Sequence, residues 1–384
     1  MNEPVFILAG EPSGDRLAAS IMKAVNEGFG DQTWIGVGGP AMMAQGLTTH
    51  TDMDELTVFG FGAALAAYPR LSKLADRLVD QIMTSRPKMI ITVDVKGFSL
   101  RLAERLKKRM AGEGWSAPVV HTVAPTVWAW GAWRRHRVAK TVDGLLCLFP
   151  FEPAYFKPLG LKADFIGHPE AFNPVYEDVL RAQPSETPHV TLLPGSRRSE
   201  ISHLLSPMLA AFSLLQDRMP NVTATIPTLS HLEPLIAGEL AKRPDLADHV
   251  AADTADAALF ASLSHSQAVL AASGTVTLQT ALYGVPGVAC YIAPAVSAFV
   301  GRRLVNMDRV ILPNALLDRE VYPFLFQNAA SPKAMADAMI RVFEDGDAQQ
   351  RAVAAAEELR ALLRGERDSF SANVVAALAP WVTR

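Results

Sequence analysis

Hydrophobic and polar positions follow two patterns along this chain, short apolar runs and longer stretches with apolar residues every three or four positions. The apolar run Met89–Val93, bounded by Pro87 and Gly97, predicts a strand buried on both faces. Residues 98–110 carry apolar side chains at helical spacing and basic ones between them, which predicts an amphipathic helix. A buried strand that leads directly into a helix is typical of a parallel α/β sheet.

The same two patterns recur through the rest of the chain. Further strands are predicted at 5–9, 33–37, 118–123, 145–149, 163–166, 189–193, 222–226, 268–271 and 287–292. A long amphipathic helix is predicted from Phe61 to Met83, and from Ser331 the pattern is helical to the end. The elements form two αβ series, so we expect an α/β protein with two Rossmann-like domains and a helical C-terminal tail.

The length of 384 residues also favours two domains, because one hydrophobic core rarely supports so long a chain. We expect an N-terminal domain over 1–172, a proline-containing linker over 173–188 and a C-terminal domain over 189–350. Residues 351–384 are predicted to form helices that pack back on the first domain or exchange between the subunits of a homodimer.

Composition narrows the class of protein. With 49% hydrophobic and 20% charged residues, the chain is an ordinary folded protein. Its two cysteines, Cys147 and Cys290, lie far apart in apolar runs, which argues against a disulfide framework or a cysteine-based metal site. Residues 1–30 lack a signal-peptide pattern, and the weakly polar stretch 57–68 is too short to cross a bilayer. We therefore expect a cytoplasmic protein without a metal or cofactor.

Charge is distributed unevenly. Residues 70–140 hold 15 Lys/Arg against 5 Asp/Glu, whereas the whole chain has a net charge of −3. Part of this excess lies at Arg70, Lys73 and Arg77 on the predicted long helix, and such a helix can lie on an anionic membrane surface. Near Trp128, two further tryptophans stand beside several arginines, a combination that suits a sugar or a lipid phosphate. The alternatives are a helix that only covers the sheet and a solvated basic face.

Candidate catalytic chemistry begins with Asp94. It stands at the carboxyl end of the predicted strand, where open parallel sheets keep their ligand sites. A glycine-bearing loop after the first strand, with Ser13 and Gly14, offers backbone N–H groups at a helix N-terminus. This loop is not GxGxxG, which argues against a dinucleotide cofactor, and a plain tight turn is the alternative.

Two similar loops lie in the second half of the chain. One contains Gly195, Ser196 and Arg197, and the other contains Ser273, Gly274 and Thr275. Small residues let a backbone approach a pyrophosphate, and an arginine can bind two phosphate oxygens at once. Together the two loops favour a nucleotide diphosphate site, with two tight turns as the alternative.

Several stretches resemble the lipid-A-disaccharide synthase family of inverting glycosyltransferases. The matching stretches run in family order from Ala9 to Glu320: AGEPSGDRLAA, GVGGPAMMAQG, HTVAPTVWAW, FPFEPAYF, FIGHP, LLPGSRRSEI, ASGTVTLQ and ILPNALLDRE. The resemblance implies the two-domain GT-B fold. It also implies transfer of 2,3-diacylglucosamine from its UDP derivative to 2,3-diacylglucosamine 1-phosphate, giving a β-1,6 disaccharide and UDP on the cytoplasmic face of the inner membrane.

The resemblance also implies residue roles. Asp94 falls on the carboxylate implicated as general base, Arg197 on the arginine near the donor phosphates, and Asn314 on a residue of the nucleotide pocket. Gln279 stands where the family usually has a ribose-binding Glu, and Gly97 stands where it usually has a second acidic residue. We expect Ser13, Gly14, Trp128, Gly195, Ser196, Ser273, Gly274, Thr275 and Glu320 to bind substrate as well.

The expected partners are therefore UDP-diacylglucosamine, diacylglucosamine 1-phosphate and an anionic membrane surface, without nucleic acid. No DxD motif indicates a metal-dependent transfer. Two alternatives remain open at this point, a UDP-sugar epimerase of similar architecture and a catalytically silent paralogue that binds UDP or lipid.

Overall fold

The computed structural model describes residues 3–49, 51–56, 61–129, 131–176, 187–255, 257–292 and 309–382. The chain divides into two compact units. The first contains residues 1–172 and 363–384, and the second contains residues 173–362. Each unit has a parallel sheet with helices, so the predicted α/β class is confirmed.

The first unit is built on a seven-stranded sheet of order β3-β2-β1-β4-β5-β6-β7. Its strands are β1 (Val5–Leu8), β2 (Trp34–Val37), β3 (Leu47–Thr49), β4 (Met89–Val93), β5 (Val119–Thr122), β6 (Gly144–Cys147) and β7 (Lys162–Phe165). All neighbouring strands pair in parallel. The strand order reverses between β1 and β4, and this is the switch point at which open α/β sheets bind ligands.

Helices cover both faces of this sheet. They are α1 (Pro12–Phe29), α2 (Pro40–Ala44), α3 (Phe61–Ser85), α4 (Lys96–Glu113), α5 (Arg134–Thr141) and α6 (Pro153–Phe156). Apolar residues of α3, α4 and α5 share one hydrophobic core with one face of the strands, and α1 belongs to the core on the other face. Burial of these stripes, at roughly 25 cal/mol per Å² of apolar surface, stabilises the sheet–helix layers.

The second unit repeats the plan with six parallel strands of order β10-β9-β8-β11-β12-β13. Its strands are β8 (His189–Leu193), β9 (Thr223–Pro227), β10 (Val250–Asp253), β11 (Ala268–Ala272), β12 (Gly287–Tyr291) and β13 (Phe324–Phe326). Its helices are α7 (Arg198–Gln216), α8 (Glu233–Leu240), α9 (Ala258–Leu263), α10 (Thr275–Leu282), α11 (Leu312–Leu317), α12 (Pro332–Glu344) and α13 (Ala348–Arg364). The switch point lies between β8 and β11.

The C-terminal segment differs from the expected boundary. Most of α13 belongs to the second unit, and the chain joins the first unit again at Leu363 rather than at 351. The last helix, α14 (Phe370–Val382), packs against α1 with Phe370, Val374 and Leu378 in the core. Exchange of this helix between subunits stays a prediction.

The expected linker lies mostly outside the described residues, since 177–186 are among those left undescribed. Residues 173–176 and 187–188 belong to the second unit. Within the described parts of the chain, no helix is both long enough and apolar enough to span a bilayer.

Candidate functional site

A cavity of about 500 Å³ opens at the switch point of the second unit. It is formed by the loops that follow β8, β9, β10 and β11 and by the first turns of α7 and α10. The predicted residues that line it are Gly195, Ser196, Arg197, Ser273, Gly274, Thr275 and Gln279. The structure thus brings together the two loops that the sequence singled out.

Two helices begin at this cavity. α7 has 19 residues and starts directly after Arg197, and α10 has 8 residues and starts directly after Gly274. The first backbone N–H groups of a helix lack partners within the helix, and the helix dipole makes this end positive. Two such ends beside one arginine form a polar wall suited to an anion.

Glu200 lies on this polar wall. Its Oε2 atom accepts a hydrogen bond from the Ser196 N–H at 3.1 Å, and its Oε1 atom lies 3.2 Å from Arg197 Nη1. Gly195 has a φ of +118°, and a Cβ at this position would lie 2.6 Å from Glu200. Position 195 therefore requires glycine for its backbone conformation and for its close contact with Glu200.

A second wall of the cavity is largely apolar and was not predicted. It includes Pro227, Leu229, Ala255 and Leu259, which follow or lie near the ends of β9 and β10. The hydroxyl of Thr228 on this wall is buried and has no hydrogen-bond partner among the described residues. An apolar wall with a few polar groups suits the flat ring and carbonyls of a nucleobase.

Position in the sheet was the signal that could have found this wall. All strands of the sheet are parallel, so their carboxyl ends lie on one side of the sheet. The residues that follow β9 and β10 therefore lie on the same side as Gly195 and Ser273. The prediction missed β10, so residues 255–259 were not assigned to this edge.

Gln279 lies on α10, one turn beyond Thr275, and both line the cavity. Asn314 does not line it. Its Oδ1 atom accepts the N–H groups of Val321 and Tyr322, and its Nδ2 atom donates to the Tyr322 carbonyl at 2.8 Å. In this arrangement the Asn314 amide orders the turn that precedes β13.

Glu320 is also apart from the predicted nucleotide loops. It lines a different cavity of about 510 Å³, together with Arg319, Arg341 and Arg351. Gly287, the first residue of β12, also lines this second cavity. The cavity therefore lies at the amino ends of the strands, whereas Gly195 lies at their carboxyl ends. The structure therefore does not bring Glu320 together with the residues predicted to bind the nucleotide.

In the first unit, Asp94 lies at the switch point on an unusual backbone. It directly follows β4 and has a φ of +52°, and Val95 has a φ of +43°. The Asp94 N–H donates to the Thr122 carbonyl at 3.0 Å, and the Ser99 hydroxyl donates to the Asp94 carbonyl at 2.8 Å. Left-handed conformations are costly for a β-branched residue such as Val95, and such strain clusters at functional sites.

The loop after β1 lies across the same switch point. Ser13 is exposed and Gly14 is buried, both in the first turn of α1. Gly10 packs closely, since a Cβ there would lie 2.8 Å from Val95 Cγ2. The adjacent Asp15 has a structural role, because its carboxylate accepts the backbone N–H groups of residues 39, 41 and 42 at the start of α2.

Trp128 is buried in an aromatic cluster beyond β5. Its ring meets Phe151 edge-on at 5.3 Å, Phe149 stacks on Phe151, and His168 stacks on Phe149. The indole N–H of Trp128 has no hydrogen-bond partner among the described residues. Burial lowers the pKa of His168 to about 4, so this ring is neutral at physiological pH.

The basic residues near Trp128 are partly engaged in internal contacts. Arg137 makes a two-pronged ion pair with Glu104, with distances of 2.6 and 2.8 Å, and this hydrogen bonding lowers the pKa of the Glu104 carboxyl. Arg134 donates to the Gly131 carbonyl at 3.3 Å. Trp133 is 73% exposed. Trp130 lies outside the described residues.

The residues that the structure describes include no group of three or more His, Cys, Asp or Glu side chains arranged to hold a metal ion. The two cysteines are free and buried, and burial raises the pKa of the Cys290 thiol to about 12. Neither thiol is suited to nucleophilic chemistry, which needs the thiolate form.

Two solved structures illustrate the fold of this chain. MurG of Acinetobacter baumannii aligns over 99% of this chain and 100% of its own, with a TM-score of 0.59 and 14% identity. The UDP-N-acetylglucosamine 2-epimerase of Neisseria meningitidis, solved with UDP-N-acetylglucosamine bound, aligns over 98% of this chain and 100% of its own. Its TM-score is 0.61 and its identity is 10%. The fold is therefore of the GT-B class, with two Rossmann-like domains.

Sequence comparison is more specific. The model of the lipid-A-disaccharide synthetase family matches residues 5–378. A lipid-A-disaccharide synthase of Rhodospirillum centenum is 36% identical over 91% of this chain and 87% of its own length. The chain belongs to this family, and it is a glycosyltransferase.

Proposed function

We propose that this protein transfers 2,3-diacylglucosamine from UDP-2,3-diacylglucosamine to 2,3-diacylglucosamine 1-phosphate, with inversion at the anomeric carbon. The products are the β-1,6-linked lipid A disaccharide 1-phosphate and UDP. The observation that carries the proposal is the cavity between Gly195 and Gly274 in a member of this family. Its two helix N-termini and Arg197 suit a diphosphate, and its apolar wall suits a uracil ring.

Asp94 is assigned the role of general base. In this mechanism its carboxylate removes the proton of the acceptor 6-hydroxyl as that oxygen attacks the anomeric carbon of the donor. The new C1–O6 bond forms while the bond from C1 to the phosphate oxygen breaks, and the electron pair leaves with UDP. Attack opposite the leaving group inverts the anomeric configuration.

Arg197 and the N-terminus of α7 are assigned the role of stabilising the UDP leaving group. Charge accumulates on the β-phosphate as the C1–O bond breaks, and fixed donors aimed at that charge lower the barrier. Arg197 is suited to this because a guanidinium holds two oxygens at once. Gly97 leaves Asp94 as the one carboxylate at this strand end, which is compatible with a single-base mechanism.

We propose further that the first unit rests on the anionic inner-membrane surface from the cytoplasmic side. Among the residues of this unit whose side chains the structure describes, three large apolar ones are exposed: Met43 at 48%, Tyr68 at 47% and Trp133 at 73%. All three belong to segments that follow sheet strands, toward the edge where Asp94 lies. Exposed aromatic and apolar side chains beside basic ones are typical of a peripheral membrane contact.

Contacts of the basic stripe refine this proposal. Arg70 donates to the Glu55 carbonyl, and Arg77 pairs with the Glu55 carboxylate at 2.6 Å. Both therefore help to hold α3 against the segment that precedes it. Lys73 is exposed and forms no ion pair with the described residues, so it is the member of the stripe best able to meet lipid phosphates.

A thin-layer assay with both diacylglucosamine substrates tests the reaction. We expect a disaccharide 1-phosphate to appear together with one equivalent of UDP, and neither product when one substrate is left out. UDP binding without any product would favour a silent paralogue. Turnover of UDP-N-acetylglucosamine without lipid would favour an epimerase, the activity of the Neisseria meningitidis protein with this fold.

A further inference from the structure

The carboxylate of Glu200 engages two hydrogen-bond donors on the polar wall of the cavity. It accepts from the Ser196 N–H at 3.1 Å and from Arg197 Nη1 at 3.2 Å. The Glu200 side chain is only 15% exposed, whereas that of Arg197 is 67% exposed. A fixed negative charge thus lies against the positive end of α7, on the wall of the cavity.

Local geometry holds this carboxylate in place. Glu200 is the third residue of α7, a position from which a side chain reaches back over the helix N-terminus. Gly195 supplies the space, because a Cβ there would overlap with Glu200 Cβ and Oε2 at 2.6 Å. The cavity lining includes both residues, so the contact belongs to the site rather than to a remote surface.

We infer that Glu200 is a specificity-determining residue that competes with phosphate for these donors and weakens nucleotide binding in proportion to ligand charge. The inference rests on the proposed function. A phosphate can take the Ser196 N–H and the bond from Arg197 Nη1 only when the carboxylate withdraws, and like charges that stay close repel each other.

The competition distinguishes substrate from product. The diphosphate of a UDP-sugar is esterified at both ends and carries about two negative charges, whereas free UDP has a terminal phosphate and carries about three near neutral pH. Glu200 therefore disfavours UDP more than UDP-sugar. This preference promotes release of UDP once the sugar has been transferred.

Calorimetric titration of the full-length protein and Glu200→Gln tests the inference with three ligands: UDP, UDP-N-acetylglucosamine and uridine. We expect the substitution to tighten UDP about three- to thirtyfold, as removal of one partly screened charge a few ångströms away would do. UDP-N-acetylglucosamine should tighten less, and uridine should be unchanged. The control is Glu344→Gln at the exposed end of α12, outside the cavity lining, which should alter none of the three.

Weaker UDP binding in Glu200→Gln would overturn the inference, since Glu200 would then serve to orient Arg197. Equal tightening of all three ligands would overturn it too, because uridine carries no charge for Glu200 to repel. Thermal unfolding monitors the fold, and Glu200→Ala replaces the first variant if Glu200→Gln does not fold. Disaccharide synthesis by the wild type together with unchanged UDP affinity in the folded Glu200 variant rejects the inference alone. Absence of UDP binding to the wild type rejects the proposed function and the inference with it.

Discussion

The two units share the plan of a parallel sheet with a switch point, yet the loops at their switch points differ. In the second unit, small residues around Gly195 and Gly274 leave a cavity of about 500 Å³ with backbone donors on its wall. In the first unit, Gly10 packs directly on Val95, and the carboxylate of Asp15 is used to hold α2. Sheet topology thus places both switch points, and the loop residues decide whether a cavity lined by backbone donors forms there.

Backbone strain sharpens the contrast. In the second unit, the left-handed residue of the polar wall is Gly195, which adopts this conformation at little cost. In the first unit, Asp94 and Val95 adopt it, and for a valine it is costly. The left-handed backbone at Asp94 is held by its hydrogen bonds with the Thr122 carbonyl and the Ser99 hydroxyl.

The largest expected effect comes from a substitution at the switch point of the first unit that leaves nucleotide binding by the second unit unchanged. We expect Asp94→Asn to lower kcat by about 10²- to 10⁴-fold, because loss of a general base removes proton transfer from the transition state. UDP affinity should stay the same, since the nucleotide is assigned to the other unit. Initial rates and UDP calorimetry measure the two quantities.

Asp31→Asn is the matched control for Asp94→Asn, since Asp31 is an exposed carboxylate in the same unit. It should leave both kcat and UDP affinity unchanged. If Asp94→Asn retained more than about a tenth of kcat, Asp94 would not be the base.

The next effect addresses the second site. We expect Arg197→Ala to weaken UDP binding about ten- to a hundredfold, as loss of a hydrogen bond to a charged group typically does. Arg197→Lys should recover only part of the affinity, because a lysine binds as a point charge. Calorimetry with UDP measures both variants.

Arg198→Ala provides a neighbouring control. Arg198 is exposed and does not line the cavity. Its substitution by alanine removes the same charge as Arg197→Ala, one position further along the chain. If Arg198→Ala weakened UDP as much as Arg197→Ala, the effect would be one of general charge, and Arg197 would have no specific place in the site.

Sequence patterns predicted the central strands of both sheets better than their edges. The strands His189–Leu193 and Met89–Val93 agree with their predictions, because continuous apolar runs indicate strands buried on both faces. Three short strands, Leu47–Thr49, Val250–Asp253 and Phe324–Phe326, were missed. All three are edge strands. An edge strand of three or four residues needs few apolar side chains, so its hydrophobic pattern is too short to indicate a strand.

The site shows the same division. The loops 195–197 and 273–275, which the sequence singled out by their glycine and serine residues, line one cavity. The apolar wall around Leu229 and Ala255 was not found, because ordinary apolar residues become part of a site only through their position. The inward turn of Glu200 depends on the space beside Gly195, which no sequence pattern reports.

A smaller effect is expected on stability, when one glycine from each unit is replaced by alanine. We expect Gly195→Ala to reduce the free energy of unfolding by about 1–3 kcal/mol, because alanine is strained at a φ of +118° and its Cβ would meet Glu200. Gly97→Ala should be neutral or stabilising by up to about 1 kcal/mol, since its Cβ would meet nothing within 4 Å and α4 favours alanine. Urea unfolding measures both. Equal destabilisation would mean that Gly195 is not constrained as the structure indicates.

The smallest expected effect concerns the membrane face of the first unit. Lys73 lies on α3 over one face of the sheet, and Lys23 lies on α1 over the other. Since one lysine near an anionic surface contributes about 1 kcal/mol, we expect Lys73→Gln to weaken binding to anionic vesicles about fivefold at low salt. The Lys23→Gln control should bind like the wild type, because Lys23 is not part of the basic stripe of α3 and lies 3.8 Å from Glu27 in an ion pair. Co-sedimentation at low and high salt measures this, and the difference should vanish at high salt as screening shortens the reach of charge to a few ångströms. If both variants pelleted like the wild type at low salt, α3 would only cover the sheet, and the membrane contact would have to be sought at Met43 or Trp133.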